Sequence, residues 1–354
     1  MEAPDPRVYS SGRWLRGDSL ERESRYIRFD FAALCKRATE LCPGATSIVT
    51  WEKKEGGYNR VFIFTMNNTS RVVARLPTRI AGPPKLTTHS EVATIKYLKS
   101  RTRIPIPKIL DWSDSSINAI GSEYIIMEHA KGVQLHQIWP AMSMEQQIAC
   151  TGAVIGNVKQ MAALDFHAYG SLYFDDVEID PATKRSIAPG YVIGPHCGTT
   201  YWDCEAHEPR YYSSAKPNRG PWFDLATYCS ALIDVGGSRL PPMDAAVNDK
   251  PSYHGAISEH KRLLNSGRDV ASRLIEDARV QKAAAPILLH QDLHKRNIYV
   301  SDEDPTIVTD IIDWQSSSIN PSFMHANDVP DFAAHIPTAD DDFPLGKVMC
   351  RRQH

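Results

Sequence analysis

The sequence predicts an α+β chain of two lobes, a small β-rich one followed by a larger α-rich one. Three observations predict it. Short β-branched runs separated by Gly or Asn turns crowd into residues 44–130. From Ser143 onward the apolar residues recur mostly at helical spacing. Hydrophobic residues make up 42% and charged residues 23% of the 354 positions, an ordinary globular balance with enough apolar mass for a sizeable core.

The elements follow in order. Residues 1 to about 27 are polar and punctuated and read as an extended arm. Phe31, Leu34, Ala38 and Leu41 recur at helical spacing within Phe29–Leu41, and Pro43-Gly44 stops that helix. Ser47–Lys54, Arg60–Met66 and Arg71–Leu76 form a meander of three strands, turned at Gly56-Gly57 and Asn67-Asn68. A helix is expected over Ser90–Ser100, a loop at Pro105 and Pro107, and one more strand at Glu123–Glu128. Ser143 with Gln146 or Gln147 caps a helix running to about Leu164. Residues 170–222 read as irregular. Helices resume over Trp222–Val235 and His254–Ala284, and short strands follow at Ile287–His290, Ile298–Val300 and Ile307–Ile312. The expected organisation is an arm and helix (1–43), a first lobe (44–130), a second lobe (131–340) and an irregular tail (341–354).

Charge and cysteine content narrow the function classes. The 40 Lys+Arg against 42 Asp+Glu give a net charge of −2, which argues against a protein held to nucleic acid by bulk charge. No run of about 18 apolar residues exists, so no membrane-spanning helix is expected. Seven scattered cysteines suggest no disulfide framework and favour a reducing compartment. Met1–Arg7 has no apolar stretch of a secretory signal, and Glu2, Asp5 and Asp18 do not suit a mitochondrial presequence. The sequons in Asn67-Asn68-Thr69-Ser70 therefore read as a polar turn.

The chemistry concentrates in His290-Gln291-Asp292-Leu293-His294-Lys295-Arg296-Asn297 and, downstream, Ile311-Ile312-Asp313-Trp314. The first is H-x-D-x-x-x-x-N between two apolar runs, and the second is an acid ending an apolar run. Phosphoryl transfer needs this set: one carboxylate to orient and deprotonate a hydroxyl, and an Asn oxygen with a second carboxylate to hold Mg²⁺. Asp292 is the candidate base, and Asn297 and Asp313 are the candidate metal ligands. Upstream, Gly56 and Gly57 with Asn59 form a turn whose backbone can approach phosphates closely. Arg75 places a cation on the third strand, and Glu91 sits on the following helix in a position to hold it. Tyr124–His129, with Glu128, ends a strand before a Gly-containing turn, as an adenine-binding hinge does.

These residues resemble the aminoglycoside phosphotransferase and choline kinase-like family, small-molecule kinases with a protein-kinase-like bilobal fold. The resemblance runs from about Gly44 to about Ala334 and is most specific at His290–Asn297 and Ile311–Gln315. More narrowly, Tyr9–Leu15, Glu55–Phe62, Val73–Pro77, Tyr169–Tyr173, Arg219–Trp222 and His290–Trp314 are similar to a fungal branch related to the altered inheritance of mitochondria proteins. The resemblance implies ATP and Mg²⁺ as cofactors and transfer of the γ-phosphate to a hydroxyl of a small molecule that it does not name. It makes Asp292 the base and His290 a support of the catalytic loop. Asn297 and Asp313 become the metal ligands, Glu91 the helix carboxylate, and Asp331 a brace under the loop. It also implies a mitochondrial location, with the cytoplasm as the alternative.

Two departures stand out. Arg75 stands where many members of that family carry Lys, a planar fork in place of a point charge, and slower turnover with retained binding is expected. The chain closes at His354 soon after Asp313, so an incomplete second lobe is expected. Three other readings stay open. One is a non-catalytic nucleotide-binding protein of the same fold. A second is a metal-dependent hydrolase using His290, Asp292 and His294. The third is a zinc site from His196, Cys197, Cys204 and His207, whose spacing matches no common structural pattern. Trp202, Tyr211, Tyr212, Trp222 and Phe223 read as lobe packing with a possible part in a substrate cleft, and Lys295-Arg296 as a phosphate or surface contact.

Overall fold

Five antiparallel strands build the first lobe of the chain, whose computed structural model describes residues 5–206, 208, 210–212, 216–242, 255–326 and 328–333. Two helices precede them, α1 (Asp18–Ser24) and α2 (Phe31–Glu40). The strands are β1 (Ile48–Glu55), β2 (Asn59–Met66), β3 (Arg71–Pro77), β4 (Ile109–Ser113) and β5 (Tyr124–Glu128), in the order β1-β2-β3-β5-β4. Alternation fixes which face each side chain takes. Arg60, Phe62, Phe64 and Met66 of β2 are buried, while the residues between them are half-buried. The buried face meets α2, whose Leu34 and Ala38 are fully enclosed. Phe31 ties the layers together, its ring 5.0 Å from Trp51, 5.2 Å from Phe62 and 6.2 Å from Phe64. The opposite face, with Val61, Ile63, Val73 and Arg75, looks into the cleft between the lobes.

The arm is not extended as expected. Asp18 accepts bonds from Trp14 N and Arg22 Nε, both at 2.9 Å, and these organise α1. The arm then folds back on the sheet through Arg60. That guanidinium is 1% exposed and donates to Pro6 O at 2.6 Å and Arg25 O at 3.2 Å, with Glu55 at 3.1 Å.

Helix α3 (Leu86–Arg101) begins four residues before the expected Ser90. Its first turn is polar, which hides the start from a periodicity argument. Glu123 supplies the missing cap from a distant segment, accepting from Lys85 N at 2.8 Å and from Thr88 Oγ1 at 2.7 Å. Thr87 to Val92 are buried, so this helix is enclosed on most sides despite its polar surface. It packs on both lobes, because Ile95, Tyr97 and Leu98 join the core of the second. Strand β4, absent from the sequence reading, starts right after Pro107 and pairs with β5.

The second lobe opens with β6 (Val133–Gln134) and the short α4 (Leu135–Ile138), then α5 (Met144–Ala162). Ser143 and Gln146 form the reciprocal cap of α5, at 3.3 and 2.9 Å, which decides between the two glutamines. The stretch read as irregular holds a small sheet, β7 (Ser171–Phe174), β8 (Arg185–Ala188) and β9 (Tyr191–Gly194), in the order β7-β9-β8. These strands span four residues each, too short for their alternation to register. Then come α6 (Leu225–Ser238), α7 (Ile257–Leu274) and α8 (Ala278–Lys282). The last strands of the described residues are β10 (Pro286–Leu289), β11 (Ile298–Val300), β12 (Val308–Ile311) and β13 (Ser318–Pro321). β12-β11-β6 form one ribbon, and β10 pairs with β13. No helix among the described residues is long and apolar enough to cross a membrane. The expected tail, 341–354, and residues 334–340 of the expected second lobe lie outside the described residues.

Phe62 is fully buried where α2, β1 and β2 meet. Phe62→Ala should lower stability by roughly 3–5 kcal/mol, the cost of a large aromatic cavity. Urea unfolding followed by tryptophan fluorescence measures it, and a loss under about 1 kcal/mol would mean that the arm and α2 are not held through this contact.

Candidate active site

The His290–Asn297 motif lies between β10 and β11, and the Asp313 turn follows β12. Ile312 joins the two through its backbone. Its N–H donates to Asn297 O at 2.9 Å, and its carbonyl lies 2.9 Å from His290 Nε2. His290 Nδ1 accepts from Asp292 N at 3.1 Å, so Nε2 carries the hydrogen and donates to Ile312. Burial holds the His290 imidazole below its ordinary pKa, which agrees with this neutral tautomer. The ring packs edge-on against Trp314 at 4.7 Å, and Trp314, 1% exposed, donates from Nε1 to Ile311 O at 2.8 Å. His290 thus braces the loop from inside and does not reach into the cleft.

Asp292 is half exposed, its side chain 53% accessible. Its Oδ2 lies 3.1 Å from His294 Nε2 and accepts from Asn297 Nδ2, also at 3.1 Å. His294 Nδ1 accepts from Arg296 N at 3.2 Å, which leaves Nε2 as the donor to Asp292. The His294 hydrogen bond holds the Asp292 carboxyl below the usual carboxylate range, so it is ionised at neutral pH. Both donors converge on Oδ2, and Oδ1 is left for a further partner. Asn297 also donates from Nδ2 to Asp292 O at 2.9 Å, which turns its amide oxygen the other way. Asp331 accepts from Lys295 N at 3.0 Å and pairs with Lys295 Nζ at 3.6 Å.

Arg75 crosses from the first lobe to meet these groups. One arm of its guanidinium, Nη1, bonds Glu91 Oε1 on α3. The other, Nη2, donates to Asp313 Oδ1 and to Gln315 Oε1, each at 2.9 Å. Arg75 and Glu91 are both buried, whereas the Asp313 side chain is 40% exposed. Asp313 has φ 66, a left-handed backbone that Asp tolerates and that aims the carboxylate toward the cleft. Burial drives the Glu91 carboxyl up to about 7 even against the pull of Arg75.

The cleft between the lobes has a volume of about 580 Å³ and is lined by Gly56, Asn59, Arg75, Glu128, Asn297 and Asp313, among others. Glu91 stands behind Arg75 and does not line it. Gly57 is outside the lining, and its carbonyl accepts from Arg25 Nε at 3.1 Å. A methyl placed on Gly56 or Gly57 meets nothing within 4 Å, so their outer side is open. Asp292 and His290 line a second cavity, about 750 Å³, between the loop and α5. The hydrogen bonds from Asn297 to Asp292 connect the two spaces. Gln315, 9% exposed, is the residue that motif reading did not assign. The signal lay one residue beyond Trp314, in a polar side chain with no motif position of its own.

The other metal readings do not assemble. Both His290 ring nitrogens are engaged by backbone, so the His290-Asp292-His294 hydrolase triad lacks a free first ligand. His196 Nε2 lies 3.2 Å from Asn320 Oδ1, and its Nδ1 accepts from Gly198 N at 2.9 Å. Cys197 faces Tyr173 Oη at 2.9 Å, and His207 lies outside the described residues. No cluster of three or more His, Cys, Asp or Glu suited to a metal occurs among the described residues. Trp222 is core at 1% exposure, and Phe223 is 52% exposed. Of the basic pair, Lys295 braces Asp331 and Arg296 lines the cleft.

The Glu91 shift fixes a sign. A carboxyl raised from 4.5 to about 7 binds its proton more tightly folded than unfolded. Its contribution therefore favours folding at low pH and is lost as pH rises from about 4.5 through 7. Glu91→Gln should flatten the fall in stability between pH 5 and pH 8 in urea titrations; an unchanged slope would contradict the assignment.

No family model matches the chain. It is 31% identical over 357 residues to a subtelomeric hrmA-associated cluster protein of Aspergillus fumigatus, a match that covers 89% of this chain and 67% of that protein. It is 22% identical to altered inheritance of mitochondria protein 9, mitochondrial, of Clavispora lusitaniae, covering 87% of this chain and 58% of the relative. The counterpart in Yarrowia lipolytica is also 22% identical, with 89% and 59% covered. The chain thus spans about two thirds of the first relative and under three fifths of the other two. Among solved structures, it is similar to a thermostable mutant of aminoglycoside phosphotransferase APH(4)-Ia, at 16% identity and TM-score 0.43 over 78% of this chain and 69% of that one. A putative fructosamine-3-kinase from Thermobifida fusca follows at 12% identity and TM-score 0.43, with 84% and 77% covered. The chain belongs to the family of the subtelomeric hrmA-associated cluster protein of Aspergillus fumigatus, and it is similar at lower identity to the altered inheritance of mitochondria 9 proteins.

Proposed function

We propose that the chain is an ATP-dependent phosphotransferase that moves the γ-phosphate of ATP to a hydroxyl of a small molecule. The observation that carries this reading is the meeting of Asp292, Asn297, Asp313 and Arg75 where the two lobes face each other. Residues more than 200 positions apart converge on one edge of a cleft of nucleotide size.

Each residue then has a task. Asp292 is ionised, with Oδ2 held by His294 and Asn297, so Oδ1 accepts the proton of the incoming hydroxyl. Its lowered pKa makes it an orienting group that takes the proton late, when bonding to phosphorus has already acidified the hydroxyl. The donor set fits Mg²⁺: the Asn297 amide oxygen and the half-exposed Asp313 carboxylate are hard oxygen ligands on one wall. Bound there, Mg²⁺ would neutralise charge on the phosphates. Gly56 and its neighbours cover the phosphates, and the β5 end at Glu128 borders the base. The cavity of about 750 Å³ beside Asp292, walled by Val154, Val158 and Leu293, receives the acceptor. The mitochondrial relatives support a mitochondrial location; fractionation of fungal cells that leaves the chain in the cytosol would refute it.

A second reading rests on Arg75. Its two terminal nitrogens are engaged by Glu91, Asp313 and Gln315. A nucleotide-binding protein without turnover fits that arrangement. It predicts ATP binding with no ATP hydrolysis and no transfer across a panel of hydroxyl compounds.

Thermal unfolding with and without Mg-ATP tests the site. Saturating ligand should stabilise the wild type by about 2.7 kcal/mol at 100 times its dissociation constant. Asp313→Ala should lose the Mg²⁺-dependent part of the shift. Asp292→Ala should keep the shift and abolish transfer. No shift in well-folded wild type would remove the nucleotide reading, and full activity in Asp292→Ala would remove the base assignment.

A further inference from the structure

Gln315 joins three segments that are far apart in the chain. Its Oε1 accepts from Arg75 Nη2 on β3 and from Asn59 Nδ2 at the start of β2. Its Nε2 donates to Ala81 O at 3.0 Å, in the loop before α3. The amide orientation is fixed by chemistry, because Arg75 can only donate and a carbonyl can only accept. The partner on Asn59 is therefore the amide nitrogen. Gln315 is 9% exposed.

That turn is rigid. Asp313 and Ser316 both have left-handed backbone, φ 66 and φ 58, and between them Trp314 is anchored in the core by its bond to Ile311. With Trp314 fixed on one side, Gln315 points toward the first lobe. Asn59 closes the glycine hairpin, since its carbonyl accepts from Gly56 N at 3.1 Å. Tyr58, within the same hairpin, is held at its carbonyl by Thr78 N at 2.8 Å and Thr78 Oγ1 at 2.9 Å. The tip is also tied to the arm, where Arg25 Nε donates to Gly57 O at 3.1 Å, and the hairpin meets the second lobe through Asn59 and Gln315.

We propose that Gln315 is a positioning residue: by binding Asn59 and Arg75 together, it latches the glycine hairpin to the Asp313 turn and sets the height of the hairpin over the nucleotide phosphates. The inference rests on the nucleotide-site reading above and adds a residue to it. It gives the hairpin and the candidate metal ligand a shared support, so that a change at either end is felt at the other. Asn59 acts through this latch, its side-chain amide directed at Gln315.

A double-mutant cycle on the full chain tests it. Gln315→Ala, Asn59→Ala and the double variant are compared with wild type in two measurements. The first is amide hydrogen exchange of residues 54–59 without nucleotide. The second is binding of Mg-ATP and, separately, of adenosine. Either single change should raise exchange in the hairpin and weaken Mg-ATP by roughly tenfold, within the range for directly bonded partners. The double variant should be no weaker than the worse single one. Adenosine affinity should hold, because the hairpin meets phosphates and not the base. Asn59 is half-buried at the lobe edge, so Asn59→Ala keeps the test open if Gln315→Ala fails to fold. Unchanged hairpin exchange in Asn59→Ala, additive losses, or equal loss of ATP and adenosine would overturn the latch. Wild type that binds no Mg-ATP would overturn the nucleotide reading, and with it the role assigned to the latch, while hairpin exchange still decides whether the latch exists.

Discussion

The buried guanidinium of Arg75 is the constraint on which the rest depends. It carries a charge out of water, and the protein must answer that charge from three sides: Glu91 from α3, Asp313 and Gln315 from the turn after β12. An isolated buried cation is costly, so these partners and the elements that carry them have to arrive together. α3 must seat against β3, and the Asp313 turn must rise to meet the sheet. Arg75 helps to join the two lobes, because its planar fork serves several partners at once and a point charge cannot.

The second lobe answers with backbone rigidity. Ile312 gives its N–H to Asn297 and its carbonyl to His290, so the strand that carries Asp313 also sets the loop that carries Asp292. His290 is neutral and buried because it serves two backbone groups. Asp292 is left partly in solvent, with both of its side-chain donors on one oxygen, beside the second cavity. The arrangement separates the cleft between the lobes from the second cavity and joins them through Asn297. α3 adds stiffness from outside, since Glu123 caps it from another segment and its far end enters the core of the second lobe.

Elements with strong, local periodicity were legible. The β1–β2–β3 meander, α2, the capped α5 and the short strands around the catalytic loop could be read because each carries its own turn or cap residues. Elements stabilised from afar were not. The first turn of α3 is polar and depends on Glu123, 38 positions away from Lys85. β4 follows two prolines and is held by β5, and the β7-β9-β8 sheet is made of strands too short to show alternation. The arm looked extended because its order comes from Arg60, a side chain on β2 whose partners are backbone carbonyls at Pro6 and Arg25.

By itself the sequence determined which groups are present and in what local frame: the loop with Asp292 and Asn297, Arg75 on the third strand, Asp313 after an apolar run, and the glycine turn. Spacing along a chain encodes this, because the side-chain direction in a strand or tight turn follows from position alone. Only the tertiary structure decided what each group does with its hydrogen bonds. It turned Asn59 toward Gln315, left one Asp292 oxygen free, gave both His290 nitrogens to backbone, and filled the Arg75 fork with protein partners. The physical reason is that hydrogen-bond partners are set by distance in space, and these partners lie up to 256 residues apart in the chain.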